Sequence, residues 1–107
     1  MRERRSEPRV RAALWVDITG TDAQREPFSG RVIAINLSRN GGLLLGVEAE
    51  LRSGDVIAVA YRERKALFQV VWVLEESAIG AQVAIHRLAD QPCPWEEALP
   101  AGAAAGR

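Results

Sequence analysis

The chain reads GRVIAINLSRNGGLLLGV from Gly30 to Val47, two apolar runs joined by a short polar turn. The first run, Gly30–Leu37, is rich in β-branched residues, which favour the pleated surface of a strand. The turn Asn40-Gly41-Gly42 contains residues that tolerate positive φ, as hairpin connections require. The second run, Leu43–Val47, follows at once. The pattern predicts two antiparallel strands joined by a tight turn.

Similar runs on both sides extend this sheet. On the N-terminal side, apolar residues alternate from Val10 to Ile18, which predicts a half-buried strand. On the C-terminal side, three more short runs follow at nearly regular spacing: Val56–Tyr61, Ala66–Leu74 and Ala81–Leu88. No long helical period interrupts them. We therefore expect an all-β fold, a six-stranded antiparallel β-barrel rather than alternating β/α units.

The same pass divides the chain into three segments. Residues 1–9 form a flexible arginine-rich arm, residues 10–89 the barrel domain, and residues 90–107 an extension. In the extension, a short helical turn is expected between Pro92 and Leu99, followed by a disordered tail of alanine, glycine and arginine. One domain is feasible because a chain of 107 residues can bury a core without staples.

Composition argues against several classes of protein. The chain has 14 basic and 14 acidic residues, a balance unlike that of general nucleic-acid binders. Its one cysteine, Cys93, can form neither an internal disulfide nor a thiolate metal cluster, and His86 stands alone in an apolar strand. No leader sequence and no apolar run of ~20 residues is present, so we expect a cytoplasmic protein without membrane insertion. No catalytic constellation stands out, and we expect no enzyme.

Positive charge is concentrated at the start of the chain. Residues 1–11 contain five arginines and two glutamates, a net charge of +3, which leaves a net charge of −3 for residues 12–107. Within this arm lies Arg5-Ser6-Glu7-Pro8-Arg9. A guanidinium is a planar fork of donors that pairs with phosphate oxygens or with the O6/N7 edge of guanine.

A second motif, Asn36-Leu37-Ser38-Arg39-Asn40-Gly41, begins 27 residues after Arg9. It adds short polar side chains and a backbone that a ligand can approach closely. The order and spacing of the two motifs, with strand-like sequence between them, resemble the PilZ domain, the bacterial receptor module for cyclic di-GMP. The resemblance runs from about Arg4 to about Leu88.

The resemblance implies a role for residues of both motifs. Arg5 and Arg9 would hold phosphate and the guanine edge, and Arg4, just before them, could help admit a second, stacked nucleotide. Asn36 and Ser38 would contact a guanine and its neighbouring phosphate. Gly41 would leave room for the ligand beside the barrel.

One residue departs from the family pattern. Asn36 stands where many members have Asp, so a carbonyl acceptor is kept but the negative charge is lost.

Two functional hypotheses follow from the resemblance. The first is a non-enzymatic cyclic di-GMP receptor that orders its arm on binding and signals through a separate effector protein, in motility or biofilm regulation, with no cofactor besides this ligand. The second is a PilZ-fold interaction module that has lost the nucleotide and acts in motility or surface-organelle assembly. A barrel for single-stranded nucleic acid is disfavoured, because it would need a basic groove with repeated exposed aromatics.

The tryptophans are expected mainly to pack. Trp72 and Trp95 are assigned to packing, whereas Trp15 falls at an outward position of the first strand close to the arm. There it could stack on a base or an arginine, or cover the barrel. Cys93, between two prolines, is expected to be an inert thiol.

Overall fold

Six β-strands and a short 3-10 helix make up the described part of the chain, residues 12–75 and 80–99 of a computed structural model. The strands are β1 (Leu14–Thr21), β2 (Pro27–Ser38), β3 (Gly41–Val47), β4 (Val56–Tyr61), β5 (Arg64–Leu74) and β6 (Ala81–Arg87), and the 3-10 helix is Glu96–Ala98. The predicted all-β class and the six strands are confirmed.

The strands close into a barrel in the order β1-β2-β3-β6-β5-β4, with every neighbouring pair antiparallel. β4 completes the ring by pairing with β1, where Asp17 lies opposite Ala60. Closure leaves no unpaired strand edge within the described sheet, which removes the usual template for edge-to-edge aggregation.

Strand boundaries follow hydrogen bonding rather than hydrophobicity alone. β4 has the predicted bounds, but β1 begins at Leu14, although its apolar alternation starts earlier, and β1 continues to Thr21. The first residue of the predicted strand, Val10, lies outside the described residues. β2 starts at Pro27, opposite Thr21, because the β1–β2 ladder extends into polar residues that carry no alternation.

The barrel interior is filled by alternate residues of all six strands. Their side chains are aliphatic or aromatic and almost wholly shielded, as expected for positions of period two on one face of a strand. The interior residues on the strands are Val16, Ile18, Val32, Ala34, Leu37, Leu44, Val47, Ile57, Val59, Ala66, Phe68, Val70, Ala81, Val83 and Ile85.

The segment after β6 closes one end of the barrel. Trp95 is fully buried, and its ring lies with its centroid 5.2 Å from that of Phe68. Its indole Nε1 donates a hydrogen bond to the Ser38 carbonyl at 2.8 Å. The packing role predicted for Trp95 is confirmed, and within the extension the expected helical turn is the 3-10 helix Glu96–Ala98. Residues 100–107 lie outside the described residues.

Candidate ligand-binding site

The Asn-x-Ser-x-x-Gly motif forms the end of β2, a two-residue turn and the start of β3. Asn36 is exposed and has a φ of 52°, in the left-handed region that Asn tolerates better than most residues. The β2–β3 register is irregular between Ile35 and Ser38. The sequence predicted positive φ within Asn40-Gly41-Gly42. In the structure, positive φ occurs before the turn, at Asn36.

Ser38 is part of the internal framework of this turn. It is 1% exposed, and its hydroxyl accepts a hydrogen bond from the Asn40 backbone N–H at 3.3 Å. Its carbonyl accepts the Trp95 indole bond. The bond from Trp95 links the turn to the C-terminal segment. The expected contact between Ser38 and a phosphate stays a prediction.

Gly41 has an internal steric reason for lacking a side chain. It pairs with His86 on β6, and a Cβ built on it would collide with the Ile85 carbonyl oxygen. Its φ is not positive. The backbones of β3 and β6 thus approach more closely here than any other residue would permit. Whether Gly41 also leaves room for a ligand stays a prediction.

Arg87, at the end of β6, stabilises the β2–β3 turn through hydrogen bonds. Its Nε donates to the Arg39 carbonyl at 2.9 Å, and its two terminal nitrogens donate to Asn40 Oδ1 and to the Gln91 carbonyl. Its backbone N–H donates to the Asn40 carbonyl at 2.6 Å. Arg87 is not among the residues predicted from the sequence to belong to the site. Its only sequence signal is an arginine directly after an alternating apolar strand.

A shallow groove of about 370 Å³ runs along the outer wall beside Asn36. β3, β5 and β6 form its floor, and its residues are Asn36, Gly42, Leu43, Val71, Trp72, Ala84, Ile85 and His86. It combines an apolar floor with amide and imidazole groups, the mixture found in small-molecule sites. Asn36 is a predicted ligand contact, whereas the other lining residues were not predicted to contact ligand.

Trp72 reaches this groove because of a β-bulge. The β5–β6 register shifts between Val70 and Trp72, so Val71 is an extra residue and the alternation reverses. Trp72 consequently faces outward and is 45% exposed. The packing role predicted for Trp72 is wrong, because strict alternation from Ala66 would have turned its side chain inward.

Trp15 lies on the outer wall, as predicted, and is 59% exposed. Cross-strand pairing sets it beside Ile33, which in turn lies beside Leu45. The three side chains form an apolar row on the outside of β1, β2 and β3.

β1 begins close to the motif. Antiparallel pairing sets Leu14 opposite Ala34, so the first residue of β1 lies two positions from Asn36 along the neighbouring strand. The chain that precedes β1 therefore enters the barrel beside the turn. The predicted arm ligands lie outside the described residues: Arg4, Arg5 and Arg9.

The described residues contain neither an activated thiol nor a set of metal ligands. Cys93 is 5% exposed, and burial raises the pKa of its thiol, consistent with the predicted inertness. Residues 12–75 and 80–99 hold no group of three or more His, Cys, Asp or Glu side chains placed to bind a metal ion. No helix in those residues is long and apolar enough to cross a membrane.

The architecture defines a small closed antiparallel barrel with a polar motif at one rim, and comparison with known families identifies it. A sequence model of the PilZ domain matches residues 3–92 of the 107-residue chain. The chain belongs to the PilZ domain family, whose members are ligand-binding and adaptor modules of the cyclic di-GMP type. Searches of curated proteins and of solved structures gave no match.

Proposed function

We propose that this PilZ domain is a cytoplasmic cyclic di-GMP receptor, not an enzyme, that binds the nucleotide where the arginine arm meets the β2–β3 turn. The observation that carries the proposal is the β1–β2 register. Leu14 opposite Ala34 puts the start of β1, which the arm precedes in the sequence, near Asn36. This register supports a site to which both sequence motifs contribute.

Chain length allows the arm to reach the groove. Arg9 precedes Leu14 by five residues, so its Cα lies within ~17 Å of the start of β1. A cyclic dinucleotide offers two phosphates and two guanine edges, all acceptors for guanidinium groups. Residues 1–9 contain four arginines and two glutamates, a net charge of +2 that complements a dianionic ligand, and the turn contributes the amide of Asn36.

The groove supplies the apolar half of the site. A guanine placed over Leu43 and Ala84 would bring its face to Trp72 and its edge to Asn36 and His86. Stacking of a base on an aromatic side chain contributes ~1 to 3 kcal/mol. In this arrangement the arm covers the ligand from outside, and the barrel wall supports it from inside.

Signalling would follow from fixing the arm. A ligand that bridges the arm and the turn stabilises the conformation in which both contact it, and it shifts the population accordingly. The surface presented to a separate effector protein then differs between free and bound states. We propose motility or biofilm regulation as the setting of that partner.

One observation favours the second candidate, an interaction module without nucleotide. The row Trp15, Ile33 and Leu45 exposes apolar surface near the start of β1, and a protein partner could cover it with no ligand present. A single measurement distinguishes the two candidate functions.

That measurement is calorimetric titration of the full chain with cyclic di-GMP, with GTP as the control nucleotide. The receptor proposal expects saturable binding of cyclic di-GMP at micromolar or lower Kd and no comparable heat from GTP. Absence of binding at ligand concentrations well above micromolar would leave the interaction module as the better account.

A further inference from the structure

One guanidinium nitrogen at the rim, Nε of Arg39, has no hydrogen-bond acceptor within the described part of the chain. Arg39 occupies the two-residue turn between β2 and β3, next to buried Ser38. Its side chain is half-buried, and its Nε is shielded from solvent without a hydrogen-bond partner. Buried N–H groups of guanidinium almost always have an acceptor, because desolvation without a new bond is costly. An unpaired donor at this place indicates that an external acceptor is missing.

No carboxylate of the described residues neutralises Arg39. Ion pairs within residues 12–75 and 80–99 join Arg31 to Asp17 at 3.5 Å and Arg64 to Glu97 at 2.9 Å. Both pairs are solvent-exposed, and neither includes Arg39. The missing acceptor of Arg39 is therefore expected to carry negative charge as well as lone pairs.

A second uncompensated cation lies beside the first. Arg87 donates its side-chain bonds to three neutral oxygens, one of them the Arg39 carbonyl, so its charge is not cancelled. Both guanidinium groups act to lower the pKa of Cys93, which burial raises overall, so both charges lie near that thiol. Glu96 acts on Cys93 in the opposite direction but pairs with neither arginine. The rim thus carries an excess of positive charge.

We propose that Arg39 binds a phosphate group of the bound nucleotide, as a cation supplied by the barrel itself in addition to those of the arm. This inference rests on the proposed function and names a further ligand contact of the same site. A guanidinium presents Nε and one terminal nitrogen to two phosphate oxygens in a bidentate pair. Because Nε is shielded while no ligand is bound, the side chain would turn outward on binding, and the phosphate would then supply the acceptor that Nε lacks.

The turn is built to hold Arg39 in place before ligand arrives. Its carbonyl is fixed by Arg87, and the Asn40 side chain and backbone on the other side are fixed by the same arginine. A cation carried on a fixed backbone segment loses less conformational entropy on binding than one on a segment without such bonds. Arg39 would therefore bind phosphate at a small entropic cost.

The test compares wild type with Arg39→Gln, Arg39→Lys and a matched control, Arg52→Gln. Arg52 is exposed on the loop after β3, at the opposite end of the barrel, so its substitution removes the same charge far from the turn. Each full-length protein is titrated with cyclic di-GMP by calorimetry and melted without ligand. We expect Kd to rise about 10- to 100-fold in Arg39→Gln and less in Arg39→Lys, which keeps a point charge. Arg52→Gln should bind within about twofold of wild type.

Thermal unfolding separates a ligand contact from a structural role. Because Nε of Arg39 has no hydrogen-bond partner among residues 12–75 and 80–99, Arg39→Gln should melt within a few degrees of wild type. If wild type binds and Arg39→Gln binds equally well, the Arg39 proposal is wrong while the proposed function stands. A large loss of melting temperature with unchanged affinity would also overturn it, since Arg39 would then serve an internal partner. If wild type itself does not bind cyclic di-GMP, the proposed function fails first.

Discussion

Gly41→Ala is the substitution whose effect the structure defines most sharply. The methyl group it adds would collide with the Ile85 carbonyl oxygen, which belongs to the backbone of β6 and cannot rotate aside. Relief requires β3 and β6 to separate, and these strands pair from Gly41 opposite His86 to Val47 opposite Ala81. Overpacking of a rigid site costs about 2 to 3 kcal/mol. For a domain of this size, the melting temperature should fall by roughly 8 to 20 °C.

Gly30→Ala is the matched control. Gly30 lies on β2, and a Cβ built there has nothing within 4 Å. The same chemical change should alter the free energy of unfolding by no more than about 0.5 kcal/mol. Urea titrations followed by tryptophan fluorescence would measure both variants beside wild type.

The outcome also separates two explanations for Gly41. If Gly41→Ala unfolds at the wild-type midpoint, the close approach of β3 and β6 is not as described. If it is destabilised yet binds cyclic di-GMP normally at a temperature where it is folded, Gly41 serves the barrel and not the ligand. The family resemblance alone assigned it to the ligand.

Three further substitutions test other parts of the account. Trp95→Phe keeps most of the packing on Phe68 but removes the indole N–H that bonds the buried Ser38 carbonyl. The free energy of unfolding, measured in urea, should therefore fall by about 1 to 3 kcal/mol. An unchanged midpoint would mean that this hydrogen bond does not stabilise the fold. Trp72→Ala should weaken cyclic di-GMP binding by about 5- to 150-fold in calorimetry, without lowering the melting temperature, since the ring is exposed; equal affinity would remove it from the site. Burial raises the pKa of the Cys93 thiol above its ordinary value of 9.0, so the unfolded chain ionises first and stability falls as the pH rises past 9. The free energy of unfolding of Cys93→Ala should fall less over that pH interval, and parallel curves would refute the assignment.

Period-two alternation made most of the fold predictable. Val16 and Ile18, Val83 and Ile85, and the run from Val56 to Tyr61 alternate as half-buried strands do, and each forms one. A series of six such runs without a helical period permits few architectures other than a small antiparallel barrel. Strand ends were less predictable, because Thr21 and Pro27 pair through their backbones and a hydrophobic pattern gives no information on such pairing.

The bulge in β5 explains why the exposed position of Trp72 in the groove was not predicted. Val70, Val71 and Trp72 are three consecutive apolar residues, and nothing in their order marks the point at which the alternation reverses. The reversal depends on how β5 pairs with β6, a long-range property. It moves Trp72 from the expected interior to the groove.

The support beneath the turn escaped prediction for a similar reason. Arg87 lies 47 residues after Asn40 in the sequence, and only barrel closure brings the two together. The C-terminal segment likewise lacks any alternation, yet Trp95 reaches the turn through Ser38. The local motif predicted a turn with polar residues after β2, whereas the hydrogen bonds that stabilise this turn join residues distant in the sequence.

If cyclic di-GMP bridges the arm and the barrel rim, Arg9→Ala should abolish its binding. Titration of wild type and Arg9→Ala with cyclic di-GMP should show micromolar or tighter binding for wild type. The variant should lose about 2 to 5 kcal/mol of binding free energy, enough to remove measurable affinity, while its melting temperature stays unchanged. Binding by Arg9→Ala within a few-fold of wild type would contradict the account, because the arm would then not be part of the site.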